Sequence, residues 1–394
     1  MTDKPLDPTS TRSGAAWLAG EASGDFIASL VLPAVKEAMG GALQFGMGGE
    51  KMRAAGLEGW YESSTLAVRG YVEVVKHLPR LFSLRNEIVE RFINARPRVF
   101  VGVDAPDFNL GVEVRMRRAG IPVVHLVSPS IWAWRPERIQ SIRRSVDHML
   151  TVFPFEKAIY DKAGIDCTFV GHPLASIIPD EPDTMGARKA LGLPDDGMRV
   201  LCVMPGSRAS ELKGCAGVFF NAVERLIERT GPVRVVVPTV DEAAAAGLRG
   251  TLERFPNLKM HLHVEPGRSH KAIEASDAVL VASGTATLEC ALFKKPMVVG
   301  YKMPSVTGLV MEKQGLIPYV SLPNILLGRR VVPEFLQFFC EPDPISYAVG
   351  DALEDGAHRE ELARVFSGLH ESLKADTAAI TAGVVASVAR APEF

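Results

Sequence analysis

The sequence predicts an α/β protein with two parallel-sheet domains, and three observations support this class. Short runs rich in Val, Leu and Ile alternate with longer amphipathic stretches, which is typical of strands joined by crossover helices. The 394 residues exceed what one ordinary core of roughly 100 to 200 residues holds. Clustered Pro, Asp and Gly at 177–197 separate two such series of runs. We therefore expect two Rossmann-like domains with a cleft between them.

The first series contains six predicted strands, each a short apolar run. They are 15–19, 43–46, 99–103, 122–127, 148–153 and 167–170. The preceding residues 1–14 are polar and lack the apolar stretch of a signal peptide, so a disordered lead-in is expected. The first domain is therefore predicted over 15–176, followed by a linker at 177–197.

The second series contains five predicted strands. They are 199–206, 233–239, 258–264, 278–283 and 297–302. A second domain is predicted over 198–343. From 344 to 394 apolar residues recur at helical spacing and predict C-terminal helices.

Composition argues against several classes of protein. The formal net charge of -2 gives no global reason to expect nucleic acid. The five cysteines are scattered and never form a CxxC pair, which suggests neither disulfides nor zinc and fits a reducing compartment. No stretch approaches the roughly 18 uninterrupted apolar residues of a spanning helix, so any membrane contact should be peripheral.

The turn after the first predicted strand is a candidate binding site, because open parallel sheets bind ligands at the carboxyl ends of their strands. It reads GEASGD and contains Glu21, Ser23 and Asp25. Backbone amides at such a helix start favour an anion or a sugar hydroxyl, although an ordinary capped turn is the alternative. The turn is not GxGxxG, which counts against a dinucleotide cofactor.

The turn after the strand at 99–103 carries two carboxylates and an amide, namely Asp104, Asp107 and Asn109. An acidic side chain in a cleft can accept a hydroxyl proton when burial raises its pKa. The alternative is a structural turn in which Asp107 caps the following helix and Asp104 bonds the turn. We expect one carboxylate to be a base and the other to be structural.

Two turns of the second domain suit a nucleotide diphosphate. Their residues are Gly206, Ser207 and Arg208 in one turn, and Ser283, Gly284, Thr285 and Glu289 in the other. Amides at a helix start and a planar guanidinium fit phosphate, and Glu289 can accept hydrogen bonds from a ribose diol. Capping of the helix by Thr285 and Glu289 is the alternative.

Two aromatic or histidine features sit in polar loops of the first domain. The loop 128–135 contains Ser128, Trp132 and Trp134, which suit sugar or acyl contact, with loop packing as the alternative. His172 lies where the chain leaves the domain and either faces the cleft or belongs to a hinge turn.

The stretch 60–93 mixes apolar residues with Lys76, Arg80 and Arg85. Such an amphipathic surface with a cationic rim would dock on an anionic phospholipid membrane and admit acyl chains. A helix packed on a sheet is the alternative. His261, His263 and His270 lack a carboxylate at metal spacing, so no metal is expected.

In this order the motifs resemble the lipid-A-disaccharide synthase family of lipopolysaccharide biosynthesis in Gram-negative bacteria. The matching segments are GEASGD, DAPDFN, VSPSIWAWR, FPFEKAIYDKAGI, VGHPL, MPGSR, SGTATLE, MVVGYK and YVSLPNIL. They span almost the whole chain, so the resemblance is far more specific than any single turn. It implies a GT-B architecture and a hexosyltransferase that needs no metal or other cofactor.

The resemblance implies inverting transfer from UDP-2,3-diacylglucosamine to 2,3-diacylglucosamine 1-phosphate (lipid X), forming a β-1,6 link and releasing UDP. Asp104 then matches the essential acidic position and becomes the preferred base for the acceptor 6-hydroxyl, with Glu21 and Ser23 in the acceptor-facing turn. Arg208 matches the arginine near the UDP phosphates. The donor-side motifs correspond to Ser283, Gly284, Thr285, Glu289 and Asn324.

The resemblance also implies a cytoplasmic enzyme on the inner face of the inner membrane. Its C-terminal helices either close back on the first domain or exchange with a second chain in a homodimer. The sequence departs from the family pattern at Glu50, where proline is expected.

Three rival functions remain: a UDP-sugar 2-epimerase, a peptidoglycan-type transferase, and a non-catalytic nucleotide-sugar binding protein. An epimerase needs no lipid surface, so the stretch 60–93 and the tryptophan loop speak against it.

Overall fold

The structure, a computed structural model, describes residues 14–63, 71–133, 135–302 and 318–390, without the side chains of 71–82, 209–210 and 390. The chain forms two compact units. One comprises the residues up to Ser176 together with those from Leu373 onward, and the other is Ile177–Ser372. Both are α/β units, each built on a single parallel sheet, as predicted.

The first unit has a seven-stranded sheet in the order β3-β2-β1-β4-β5-β6-β7. Its strands are β1 Ala15–Ala19, β2 Gln44–Gly48, β3 Glu58–Glu62, β4 Val99–Val103, β5 Val123–Leu126, β6 His148–Thr151 and β7 Cys167–Phe169. Strands β1 and β4 are completely buried, because helices cover both faces of the sheet. Ala19 lies opposite Val103 in the register, so the turns after these two strands are neighbours.

Helices alternate with these strands along the chain and cover the sheet. They are α1 Ala22–Ala38, α2 Glu50–Ala54, α3 Tyr71–Ala95, α4 Pro106–Arg118, α5 Ile139–Ser145, α6 Glu156–Ala163 and α7 Pro173–Ile177, with a 3-10 turn at Pro136–Arg138. The described part of the amphipathic stretch packs into the core, since the Trp60 ring lies 4.4 Å from Phe45 and 5.7 Å from Phe92. This part follows the packed-helix alternative. The side chains of Lys76 and Arg80 lie outside the described residues.

The second unit has a six-stranded sheet in the order β10-β9-β8-β11-β12-β13. Its strands are β8 Val200–Met204, β9 Arg234–Thr239, β10 Leu262–Pro266, β11 Ala278–Ala282, β12 Met297–Tyr301 and β13 Glu334–Leu336. Its helices are α8 Thr184–Ala190, α9 Ala209–Thr230, α10 Glu242–Leu252, α11 Pro256–Lys259, α12 Ser269–Ala275, α13 Ala286–Leu292, α14 Leu322–Leu327, α15 Pro342–Glu354 and α16 Gly356–Leu373, with a 3-10 turn at Gln337–Phe339. Val281 lies opposite Met204, so the turns after β11 and β8 are neighbours.

One predicted strand needs correction. The strand predicted over 258–264 begins only at Leu262, because Pro256–Lys259 forms a short helix with proline in its first turn. The C-terminal helices are predicted over 344–394, with packing back on the first domain as one alternative, and in the structure they divide between the two units. Helix α15 packs on α9 of the second unit, whereas the last helix, α17 Thr377–Arg390, packs on α1 of the first. Within the described ranges, no helix has the length and apolar character needed to cross a bilayer.

Candidate active site

The turns after β1 and β4 place a hydroxyl and a carboxylate in contact. Ser23 Oγ donates a hydrogen bond of 2.8 Å to Asp104 Oδ2. Gly24 permits this approach, since a Cβ at that position would lie only 3.1 Å from the Val103 carbonyl oxygen. Glu21 is the N-cap residue of α1 and is exposed at the same edge of the sheet. The structure thus places the predicted base and two predicted acceptor-side residues at one edge of the sheet.

The backbone at Asp104 is strained and firmly held. Asp104 and Ala105 both adopt left-handed conformations, with φ of 53° and 44°, which non-glycine residues rarely do. The Asp104 amide donates to Leu126 O at 2.9 Å. Buried Asn109 donates through Nδ2 to Asp104 O at 2.7 Å and to Val103 O at 3.1 Å. Asn109 therefore fixes the backbone of the turn that carries the Asp104 carboxylate.

Two of the three other carboxylates of these turns are engaged elsewhere. Asp107 is exposed and forms an ion pair with Arg138, and it does not cap its own helix. Asp25 is buried, and its Oδ1 accepts from the amides of Gly49 at 2.7 Å and Met52 at 3.1 Å. Its expected acceptor-facing role thus gives way to capping of α2. Asp104, at the end of β4, is therefore the carboxylate that lies beside the Ser23 hydroxyl.

The loop after β5 is tied to α6 by a buried polar network. Ser128 Oγ lies 2.7 Å from Tyr160 Oη. Trp132 Nε1 donates to Glu156 Oε1 at 3.0 Å, and the Phe153 amide is 3.2 Å from Glu156 Oε2. Burial raises the pKa of Glu156 to about 7, although the hydrogen bond from Trp132 lowers it. Sequence reasoning missed Glu156, because a single acidic residue at a helix start carries no distinctive signal.

His172 belongs to the same aromatic cluster. Its ring stacks on Phe153 with centroids 5.5 Å apart, and its Nδ1 accepts from the Leu174 amide at 3.3 Å. Burial lowers the pKa of His172 to about 4, so the ring is neutral near pH 7. These contacts agree with the hinge-turn alternative. Trp134 lies outside the described residues.

The turn after β8 already holds an anion from its own helix. Glu211 Oε2 accepts from the amides of Ser207 at 2.9 Å and Arg208 at 3.2 Å. Gly206 has φ of 122°, and a Cβ there would overlap Glu211. The Arg208 side chain is 74% exposed and lies 3.1 Å from Glu211 Oε1. The turn therefore binds a carboxylate in the geometry that we expected for phosphate.

A small open hollow lies beside this turn. Its lining consists of Pro205, Gly206, Ser207, Leu212, Pro238, Thr239, Val240, Ala244 and Leu248.

The neighbouring turn after β11 presents exposed Gly284 and Thr285. Ser283 Oγ donates to Val320 O at 2.9 Å, and Glu289 Oε2 lies 3.5 Å from His270 Nε2. This turn and the one after β8 thus bring the predicted UDP residues, apart from Asn324, to one edge of the sheet.

Asn324 lies in the turn at 321–334, where its side chain is buried. Its buried Oδ1 accepts from the amides of Val331 at 2.7 Å and Val332 at 3.0 Å. Its Nδ2 donates to Val332 O at 3.0 Å and Glu334 Oε1 at 2.8 Å. Both ends of the Asn324 amide bond the protein, so this side chain shapes the turn at 321–334. Over the described ranges, no three His, Cys, Asp or Glu side chains are placed to share a metal ion.

Two parallel-sheet units with polar turns at the carboxyl ends of their strands define an α/β protein of the GT-B type. Among solved structures, the chain is similar to UDP-GlcNAc 2-epimerase from Neisseria meningitidis bound to UDP-GlcNAc, with a TM-score of 0.60, 11% identity, and 95% of this chain and 98% of that chain covered. It is also similar to Anabaena HepE in complex with UDP, with a TM-score of 0.54, 14% identity, and 95% and 99% covered. At these identities the likeness concerns the fold alone.

Sequence comparison identifies the family. The family model described as lipid-A-disaccharide synthetase matches residues 16–382. Lipid-A-disaccharide synthase from Paraburkholderia phymatum is 47% identical over 377 residues, which cover 95% of this chain and 96% of the relative. The chain belongs to the lipid-A-disaccharide synthase family and is a hexosyltransferase of lipid A synthesis.

Proposed function

We propose that the enzyme transfers 2,3-diacylglucosamine from UDP-2,3-diacylglucosamine to the 6-hydroxyl of lipid X. The products are UDP and a β-1,6-linked disaccharide 1-phosphate, with inversion at the anomeric carbon. The observation that carries this proposal is the Asp104 carboxylate, held at a strand end beside Ser23 in a chain of this family.

Asp104 is proposed as the general base. In an inverting displacement the acceptor hydroxyl attacks the anomeric carbon as UDP leaves from the opposite face, and the attacking oxygen must lose its proton. Ser23 donates to Asp104 Oδ2, which orients the carboxylate, and we assign the acceptor proton to Oδ1. The strained backbone and the Asn109 bonds hold this carboxylate at the edge of the sheet.

The turn after β8 is proposed to bind the UDP diphosphate. It already accommodates the Glu211 carboxylate on two amides, so a phosphate oxygen can replace that carboxylate at the start of the 22-residue helix α9. The exposed Arg208 guanidinium adds the charge that stabilises the leaving diphosphate, so the proposal invokes no metal. Glu289 is proposed to accept hydrogen bonds from the ribose hydroxyls.

The acyl chains of both substrates connect the enzyme with a lipid phase. We propose that it works at an anionic phospholipid surface on the cytoplasmic side of the inner membrane, with Lys76, Arg80 and Arg85 as the cationic rim. We also propose Trp132, edge-on to Phe155 at 5.3 Å, as a contact for the acceptor sugar or its acyl chains. A homodimer that exchanges α17 would preserve the contact that this helix makes with α1.

A coupled product assay tests the proposed function. Purified protein is incubated with UDP-2,3-diacylglucosamine with and without lipid X, and UDP and disaccharide are quantified together. We expect equimolar UDP and disaccharide only when lipid X is present. A donor epimer formed without lipid X would indicate an epimerase, and tight UDP binding without turnover would indicate a binding protein.

A further inference from the structure

A fully buried acid–histidine pair lies beneath the candidate base. His125 Nδ1 is 2.5 Å from Glu113 Oε1, and both side chains are inaccessible to solvent. The second ring nitrogen, Nε2, is 3.1 Å from the carbonyl oxygen of Val127. Neither Glu113 nor His125 has a part in the catalytic scheme proposed above.

The sheet leaves room for this pair at a glycine. Gly102 of β4 lies opposite His125 of β5 in the strand register. A Cβ on Gly102 would overlap Glu113 Oε1 and lie 3.3 Å from His125 Nδ1. Any other residue at this position would displace the carboxylate, so the space is specific to the ion pair.

The surroundings of the ring favour its charged form. Burial alone lowers the pKa of His125, but the charge and hydrogen bond of Glu113, the charge of Asp104 and the Val127 carbonyl together raise it. The groups that face the ring are therefore Glu113 from α4, Asp104 from the end of β4 and Val127 from the end of its own strand. With both nitrogens protonated, the ring donates to Glu113 and to Val127 at the same time.

The pair is connected to Asp104 through two backbone contacts. Val127 has φ of 77°, a conformation that a β-branched residue rarely adopts, and its carbonyl oxygen is bonded to His125. The preceding carbonyl, Leu126 O, accepts from the Asp104 amide at 2.9 Å. On α4, Glu113 follows four residues after Asn109, so the two side chains lie on one face of the helix. Asn109 holds the end of β4, and Glu113 holds the end of β5 through His125.

We propose that Glu113 and His125 are positioning residues for the transfer reaction. By holding the 126–127 backbone, the pair fixes the Asp104 carboxylate in the orientation needed to deprotonate the acceptor hydroxyl. This inference rests on the proposed role of Asp104 as the base.

A purely stabilising role predicts a different outcome and can be separated by experiment. Buried ion pairs add little net stability compared with well-packed apolar side chains. Moreover, Glu113 Oε2 is buried and has no hydrogen-bond partner among the described residues. Replacing both partners by apolar residues should therefore spare the fold while removing the positioning contact.

The main test is the paired variant Glu113→Leu/His125→Phe, assayed with UDP-2,3-diacylglucosamine and lipid X. We expect an unchanged or higher Tm, little change in either KM, and a kcat lowered by about tenfold to a hundredfold, as misplacement of a catalytic group produces. In an Asp104→Asn background the same pair should cause no further loss. The control Trp17→Phe/Gln44→Met also removes a buried polar pair from this sheet and should keep kcat.

The outcomes separate this inference from the function on which it rests. Full turnover of Asp104→Asn would overturn the base assignment itself. Full turnover of the paired variant, with Asp104→Asn inactive, would overturn only the positioning role. An equal kcat loss in the Trp17/Gln44 control would also overturn the positioning role.

The variant Glu113→Gln keeps the test decisive if the paired variant does not fold. It keeps the shape but removes the charge that raises the pKa of His125. Activity that depends on the imidazolium is lost as pH rises through that pKa, so the alkaline loss of kcat should begin at a lower pH than in the parent. Superimposable kcat–pH profiles would overturn the proposal.

Discussion

Ser23 Oγ and Asp104 Oδ2 form a 2.8 Å hydrogen bond between residues that are 81 positions apart in the chain. The bond exists because β1 and β4 are neighbours in the sheet and end level with each other. A hydroxyl that donates to one carboxylate oxygen restricts the orientation of the other. Catalysis by Asp104 should therefore depend on Ser23.

Replacing Ser23 with Ala should lower kcat while UDP affinity is kept. A hydrogen bond to a charged group contributes about 1.5–3 kcal/mol, so we expect a loss of roughly tenfold to a hundredfold. Steady-state kinetics with both substrates measures it. Ser29→Ala on the same helix is the matched control, because that hydroxyl donates to the Phe26 carbonyl at 2.7 Å within the helix. Equal losses in both variants would contradict the assignment.

Asp104→Asn should lower turnover by about a hundredfold to ten-thousandfold, the range expected for loss of a general base. Asp107→Asn should keep most of the activity, because its exposed carboxylate faces Arg138. Calorimetry with UDP should show near-parental affinity for both variants. If Asp107→Asn lost much more activity than Asp104→Asn, the base would be Asp107.

Arg208→Ala should weaken UDP binding, because it removes the exposed guanidinium beside the amides of the β8 turn. A loss of about 1.5–3 kcal/mol in binding free energy is expected for a charged hydrogen bond. Titration calorimetry with UDP measures the change. Arg249→Ala, which removes another exposed arginine of the same unit, should leave the affinity unchanged. Equal UDP affinity in the Arg208 variant and the parent would refute the phosphate role.

Glu156 should make the folded protein less stable as pH rises. The pKa of Glu156 is raised by burial from 4.5 to about 7, so between these values the folded chain keeps a proton that the unfolded chain releases. The free energy of unfolding therefore falls from pH 4.5 to 7 and then levels off. Urea unfolding across this range should show a shallower decline for Glu156→Gln. Asp161→Asn on the same helix should retain the parental slope, since its exposed carboxylate pairs with Lys157.

Asn324→Ala should destabilise the second unit, with any effect on UDP binding arising indirectly. The substitution leaves the buried Val332 amide without its acceptor, at about 1–3 kcal/mol for an unsatisfied group, whereas Glu334 keeps its bonds from Val320 and Ser321. Denaturant unfolding measures this loss. Asn324→Asp retains the acceptor but places a second carboxylate against Glu334. It should therefore restore only part of the lost stability. Full stability in the alanine variant would contradict the structural role.

Strand prediction succeeded where burial is complete. The strands at 15–19 and 99–103 were predicted with their observed bounds, because both sheet faces are covered and every position must be apolar. Glu58–Glu62 and Glu334–Leu336 escaped prediction, since these edge strands have mixed or very short sequences. The departure at Glu50 falls on the first residue of helix α2, where proline is also tolerated, and nothing among the described residues explains the choice of glutamate.

By itself, the sequence determined the two α/β sheets, the polar turns that follow their strands and the likeness to one family. Apolar periodicity and turn composition are local properties, so they can be read along the chain. Only the tertiary structure decided that Asp25 caps a helix, that Asn324 bonds its own turn, and that Glu113 meets His125 beneath Asp104. The type of side chain is local, whereas its hydrogen-bond partners and burial depend on distant segments that folding brings together.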